Sequence, residues 1–189
     1  MASNFNQYQH LDAFSFPAHL RGRPAWVVQL WLLVQSTLFA LSPRFMYGWR
    51  RFLLRLFGAK VGNKVLIRPS VRVAYPWHLI FSEHAWIGDD VELYSIGNIR
   101  VGDHVVVSQR SYLCTATHDY TKRSFDTMVG DIEIGDGAWL ATDVFVAPGV
   151  KIGRGCVIGA RSSVFSDMPE GMICMGSPAK PVRSRNSGK

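Results

Sequence analysis

The stretch that decides the fold runs from Ile134 to Val164: Ile134-Gly135-Asp136-Gly137-Ala138-Trp139, Leu140-Ala141-Thr142-Asp143-Val144-Phe145, Val146-Ala147-Pro148-Gly149-Val150-Lys151, Ile152-Gly153-Arg154-Gly155-Cys156-Val157, Ile158-Gly159-Ala160-Arg161-Ser162-Ser163, Val164. An aliphatic residue opens every sixth position without error. The same period appears earlier as Val61, Ile67, Val73, then Phe81, Ile87, Leu93, then Val101, Val107, Leu113. Gly62, Gly88, Gly102, Gly135, Gly153 and Gly159 each follow an anchor directly, and small or β-branched residues such as Val65, Ala85, Val105, Ala138, Val144 and Ser162 stand four positions after one. A six-residue period fits neither an amphipathic helix nor a single alternating strand. It fits a short strand and a tight corner, with the anchor and the fourth residue after it both pointing inward. Glycine after the anchor suits a corner where φ is positive or where the backbone crowds its neighbour. Three hexads close one triangular turn. Turns stacked at the ordinary strand spacing of about 4.8 Å make five coils roughly 24 Å long. The expected fold class is mainly β: a parallel β-helix of about five triangular coils.

The register breaks in three places. Two-residue insertions separate Val73 from Phe81 and Leu93 from Val101, and twenty-one residues separate Leu113 from Ile134 where six would suffice. The excess, about 114–131, is expected to leave the prism as an extruded loop. Long excursions from rigid scaffolds commonly carry function.

Three regions follow: a leader and helical arm over 1–60, the repeat over 61–168, and a tail over 169–189. Within the arm, residues 24–57 read as helix, with Pro24 at a first turn. Trp26 to Leu41 carries no charge, but sixteen residues are short for a membrane span of about 20. Arg44, Arg50, Arg51 and Arg55 interleave with Phe45, Trp49, Phe52 and Phe57. That composition leaves two uses open: packing on the solenoid or a neighbouring subunit, or peripheral membrane contact through 24–57. Met1 to Pro17 lacks the basic start and apolar core of a secretory signal peptide.

The chain has 189 residues and a formal charge of +7. Seven basic residues against Asp12 give +6 over 1–60, ten against thirteen give −3 over 61–178, and four basic residues give +4 over 179–189. A mildly acidic body argues against a nucleic-acid partner. Cys114, Cys156 and Cys174 form no disulfide framework and no zinc pair. A cytoplasmic location is expected, extending to the inner face of the cytoplasmic membrane if the arm binds lipid.

Of six histidines, His84 and His104 stand three after an anchor, where side chains face outward. His118 differs, because it stands at the root of the extruded loop, where the repeat fails. An imidazole there suits a general base, and the competing reading is a loop-anchoring hydrogen bond. A zinc site needs three or four convergent ligands and no second histidine lies near His118, position 123 being Arg123, so no metal is expected. Cys114, one after an anchor, reads as packing rather than as a nucleophile.

The [LIV]-G-x-x-x-x run resembles the hexapeptide-repeat acyltransferases over residues 61–183. Tyr75-Pro76-Trp77-His78-Leu79, the run Ser108 to Thr115 and His118-Asp119-Tyr120 resemble the branch of colanic-acid-type exopolysaccharide biosynthesis acetyltransferases. The resemblance implies a left-handed coil, against the usual crossover rule, and a homotrimer with active sites between subunits. It implies acetyl-CoA as donor, a sugar hydroxyl as acceptor, and His118 as the base. The acceptor is expected in an exopolysaccharide precursor, and such precursors are often lipid-linked. Trp139, Thr142 and Ala160 match positions along the acyl donor and its pantetheine arm. Gly176-Ser177-Pro178-Ala179-Lys180 matches the closing motif near the adenine, so Lys180 and Arg183 are candidates for phosphate contact. Several relatives carry Thr-Lys-Asp where this chain has Phe165-Ser166-Asp167, so either Lys180, Arg183 or Arg161 replaces the missing lysine or affinity for the donor is lower. Tyr94, Asp119 and Tyr120 are acceptor-side candidates by proximity. Two alternatives compete: a non-enzymatic trimeric scaffold, and transfer to an amino sugar or other small molecule. Serine as the acceptor is disfavoured, since the long helical N-terminal domain of those enzymes is missing.

Overall fold

The computed structural model describes residues 8–186. Strands of two or three residues stack into three parallel faces. The first face holds Lys60–Val61, Leu79–Phe81, Ile99–Val101, Ile132–Ile134 and Lys151–Ile152. The second holds Leu66–Ile67, Trp86–Ile87, Val106–Val107, Trp139–Leu140 and Val157–Ile158; the third holds Arg72–Val73, Glu92–Tyr94, Tyr112–Cys114, Phe145–Val146 and Ser163–Val164. Five complete coils result. The start of a sixth follows, in which Met168 bridges Ile152 and Met172–Gly176 extends the second face. Ala179–Ser184 then folds back antiparallel on Met172–Gly176.

The hexad arithmetic explains the core. All fifteen anchors are buried, and so are the residues four positions later wherever the register continues, from Val65 and Val71 to Cys156 and Ser162; the exceptions, Trp77 and Thr117, lie in insertions. Consecutive anchors pair directly across coils, as Ile134 with Ile152 and Leu140 with Ile158. Each therefore packs against its own kind.

Glycine after the anchor is explained by crowding. A Cβ on Gly135 would lie 2.6 Å from the Arg154 backbone nitrogen, and one on Gly153 would lie 2.5 Å from that of Glu170. The left-handed corner sits two residues further on. There His84, Asp90, His104, Arg110, Asp143 and Arg161 adopt φ of 56–59° beside Gly137 and Gly155 at 65° and 63°. The alternative of positive φ at the glycine after the anchor is thus corrected. Gly135→Ala should cost about 1–3 kcal/mol by overpacking. Gly137→Ala, with nothing within 4 Å of its would-be Cβ, should cost only the left-handed penalty of about 1 kcal/mol. Thermal denaturation of the two variants measures the difference.

The arm closes the open end of the first coil. Helix α1 (Ala25–Val34) continues into a wider turn over Gln35–Phe39, and α2 (Tyr47–Leu56) follows the break at Pro43. Trp31, Phe39, Leu53 and Leu54 are buried against the core cluster. The first coil is a sheet edge on all three faces, with backbone groups that need partners. Arg55 donates to the Val61 carbonyl, Arg51 to that of Val65 (2.9 Å), Arg50 to that of Ile67 (2.6 Å) and the Trp31 indole to that of Val73 (2.8 Å). Gln35 accepts from the Val73 N–H at 2.6 Å. Arg44 pairs with Asp89 at 2.9 Å. The four arginines that read as a basic membrane surface are therefore engaged with the protein, three of them as an edge cap. Among the described residues, no helix is long and apolar enough to cross a membrane.

The candidate acetyl-transfer site

The extruded segment is a hairpin. Ala116–His118 pairs antiparallel with Thr127–Val129, and His118 stands opposite Thr127 at the end of the ladder. The His118 ring stacks on Phe125, centroids 4.2 Å apart and planes within 4°, and Phe14 meets it edge-on at 5.4 Å. Nδ1 lies 2.8 Å from the Phe125 carbonyl oxygen. A carbonyl only accepts, so Nδ1 carries the proton and the neutral ring keeps its lone pair on Nε2. The loop-anchoring bond and an available base thus coexist on one ring.

Asp119 turns inward on its own hairpin. Its carboxylate accepts from the Thr121 N–H at 3.0 Å and from the Thr121 hydroxyl, bonds that hold its pKa below the usual carboxylate value. Tyr120 is 85% exposed at the tip. Tyr94 projects from the third face, edge-on to Tyr112, and burial raises its pKa. It lines a cavity of about 370 Å³ with Phe16, Val28, Leu32 and Tyr75. The leader thus links that cavity to the hairpin, since Phe14 touches His118 and Phe16 lines the cavity. This link through residues 14–16 was invisible in sequence, because nothing in the leader follows the repeat. Cys114 is buried, with its thiol on the Ala116 carbonyl, a packing role.

The donor-side candidates lie elsewhere on the prism. Trp139 projects from the second face, 45% exposed, and its indole N–H donates to the Ser108 hydroxyl at 3.0 Å. Ser108 lines a groove of about 330 Å³ on that face with Trp86, Asp89 and Gln109. Thr142 and Ala160 stand one above the other at the corner between the second and third faces. The Arg161 N–H bonds the Thr142 carbonyl at 2.9 Å, and the Thr142 hydroxyl bonds the Gln109 carbonyl at 3.1 Å. Lys180 and Arg183 are exposed on the antiparallel strand that extends the second face. Trp139, Thr142, Ala160, Lys180 and Arg183 thus share the side built by the second face. His118 and its neighbours occupy the corner between the third and first faces. One chain does not bring the two sets together. Among the described residues no cluster of three or more His, Cys, Asp or Glu could hold a metal ion.

The family profile described as bacterial transferase hexapeptide (six repeats) matches residues 131–166. The chain is 55% identical over 177 residues to a protein of Escherichia coli (strain K12) assigned as the colanic acid biosynthesis acetyltransferase WcaF, covering 94% of this chain and 97% of that one. It is 25% identical over 140 residues to the galactoside O-acetyltransferase of the same organism, covering 72% and 69%. A hexapeptide-repeat acetyltransferase from Vibrio cholerae O1 biovar eltor, solved with acetyl-coenzyme A, superposes with a TM-score of 0.75 at 25% identity, over 88% of this chain and 87% of that one. The solenoid is the left-handed β-helix of these neighbours. The shared hexads, the matched length and the superposed coils place this chain in the hexapeptide-repeat family of acetyltransferases.

Proposed function

We propose that the protein moves acetyl from acetyl-CoA to a hydroxyl of a saccharide in exopolysaccharide biosynthesis, as a homotrimer with its sites between subunits. The observation that carries this reading is the His118 ring, whose Nδ1 is held by a backbone carbonyl so that Nε2 is the basic atom. Nε2 takes the proton from the acceptor hydroxyl as the oxygen attacks the thioester carbonyl carbon. The C–S bond then breaks, and the imidazolium returns the proton to the departing thiolate. Backbone N–H groups can stabilise the intervening oxyanion. Acetyl-CoA is the donor and no metal takes part. The separation of His118 from the donor-side residues within one chain supports assembly, because a neighbouring copy can set its second face against the His118 corner. Galactoside O-acetylation by one relative favours oxygen over nitrogen as the acceptor atom. The acceptor we favour is an exopolysaccharide precursor, lipid-linked at the cytoplasmic membrane face.

Arg161 replaces the lysine missing at Ser166 in this reading. Its side chain is 83% exposed, and Nε lies 3.7 Å from Asp143. Arg110 already grips that carboxylate through two bonds of 2.8 and 2.9 Å, and its hydrogen bond is the first cause of the lowered Asp143 pKa. Arg161 is thus loosely held beside the pantetheine candidates Thr142 and Ala160, free to turn onto a phosphate. Arg161→Gln should raise KM for acetyl-CoA roughly tenfold, the worth of one charge-assisted contact, and leave KM for acetyl-pantetheine unchanged. Equal effects on both donors would assign Arg161 to the fold.

The scaffold alternative is tested by thermal unfolding with acetyl-CoA. A donor site saturated a hundredfold above Kd stabilises by about 2.7 kcal/mol, a shift of several degrees. No shift at millimolar acetyl-CoA would favour a scaffold.

A further inference from the structure

The outer surface of the arm is apolar and exposed in the single chain. Trp26, Leu33, Leu41, Phe45 and Leu56 are each more than 60% exposed, a pattern that soluble surfaces rarely tolerate as one patch. No charged residue occurs between Arg23 and Arg44, and no carboxylate between Asp12 and Glu83. Arg23 rims a groove of about 550 Å³ whose walls include Trp26, Leu30 and Leu56. Arg50, Arg51 and Arg55, which the composition had offered as headgroup contacts, are bonded to the first coil. The apolar ridge and not those arginines is the feature left to explain.

We propose that α1 and the turn into α2 seat the protein in the headgroup interface of an anionic bilayer, without crossing it. Charge favours this occupant, since Arg23 stands at the rim of the ridge and residues 24–57 carry no carboxylate that anionic lipid would repel. Shape is consistent with it too. Trp26, Leu30 and Leu33 are exposed and recur at helical spacing, so one outer side of α1 is apolar, the arrangement of a helix lying in an interface. The inner side of α1 supplies Val28 and Leu32 to the cavity that holds Tyr75 and Tyr94. A membrane seat on the outer side of α1 puts that cavity one helix diameter, roughly 10 Å, from the lipid surface, near an acceptor carried on lipid. This last step rests on the saccharide reading above; the seat itself does not.

The test is flotation of the full-length protein with vesicles of phosphatidylglycerol and phosphatidylcholine, against phosphatidylcholine alone. Wild type should float with the anionic vesicles. The double variant Leu33→Glu/Leu41→Glu, at two exposed positions, should keep its Tm and lose about a thousandfold in partition, about thirtyfold for each leucine withdrawn from the interface. Wild type that stays at the bottom with anionic vesicles overturns the proposal, and so does a double variant that floats equally well. Light scattering covers the remaining case: if neither protein binds vesicles and the wild-type mass exceeds that of the variant, a second copy of the chain covers the ridge. Thiol release from acetyl-CoA is read alongside. Flotation without turnover, or turnover without flotation, shows which of the two readings fails.

Discussion

His118→Ala is expected to lower acetyl transfer by about 10²–10⁴-fold, the range over which a positioned general base acts. The loss should fall on kcat, because the ring's role is in the transition state and Trp139, Thr142 and Ala160 are untouched. Stability should change little. The ring is only half-buried, on a hairpin outside the solenoid, and it makes one backbone bond and two ring contacts. Loss of about 1 kcal/mol corresponds to a Tm shift of a few degrees at this chain length. Steady-state thiol release together with a melting curve separates the two effects. A variant with undiminished kcat would remove His118 from the chemistry.

The second large effect is on stability. Arg50 is fully buried and donates to the Ile67, Pro43 and Arg44 carbonyls and to the Ser42 hydroxyl, with the Tyr47 ring 5.0 Å from its guanidinium. Burial lowers its pKa, yet the group stays charged at any working pH, and its bonds compensate the desolvation. Arg50→Met keeps much of the volume and strands the buried acceptors. That should cost about 3–5 kcal/mol, lowering Tm by about 10 °C. Arg44→Met removes only the partly exposed pair with Asp89 and should cost under about 1 kcal/mol. Similar losses in the two variants would contradict the cap. A loss confined to Arg50→Met would show that the end of the solenoid depends on one guanidinium.

The prism was legible from Ile134 to Val164 because two side chains in every hexad must face inward, and the anchor position admits few residues. The corners were less so. Asp143, Arg161 and Gly137 share one left-handed position, and residues so unlike each other leave no pattern to read. The arm was ambiguous for a physical reason: arginines among aromatics suit a bilayer surface and suit equally a row of unpaired carbonyls. Only the bonds of Arg50, Arg51 and Arg55 distinguish the two. His118 was legible as the residue standing where the repeat fails, but its tautomer depends on the Phe125 carbonyl, seven residues away across the hairpin. The donor-side candidates Trp139, Thr142, Ala160, Lys180 and Arg183 came from resemblance alone. Their place on a different side of the prism from His118 follows from coil geometry, which a sequence read in hexads does not state.

The central claim is tested most directly by incubating the purified protein with acetyl-CoA and a panel of free sugars, nucleotide sugars and lipid-linked oligosaccharides, then treating the acetylated product with hydroxylamine. An acetyl group on a saccharide that hydroxylamine removes, and that the His118→Ala protein does not install, is the predicted result. An acetyl group that resists hydroxylamine, as an amide would, or equal product from both proteins, would contradict it.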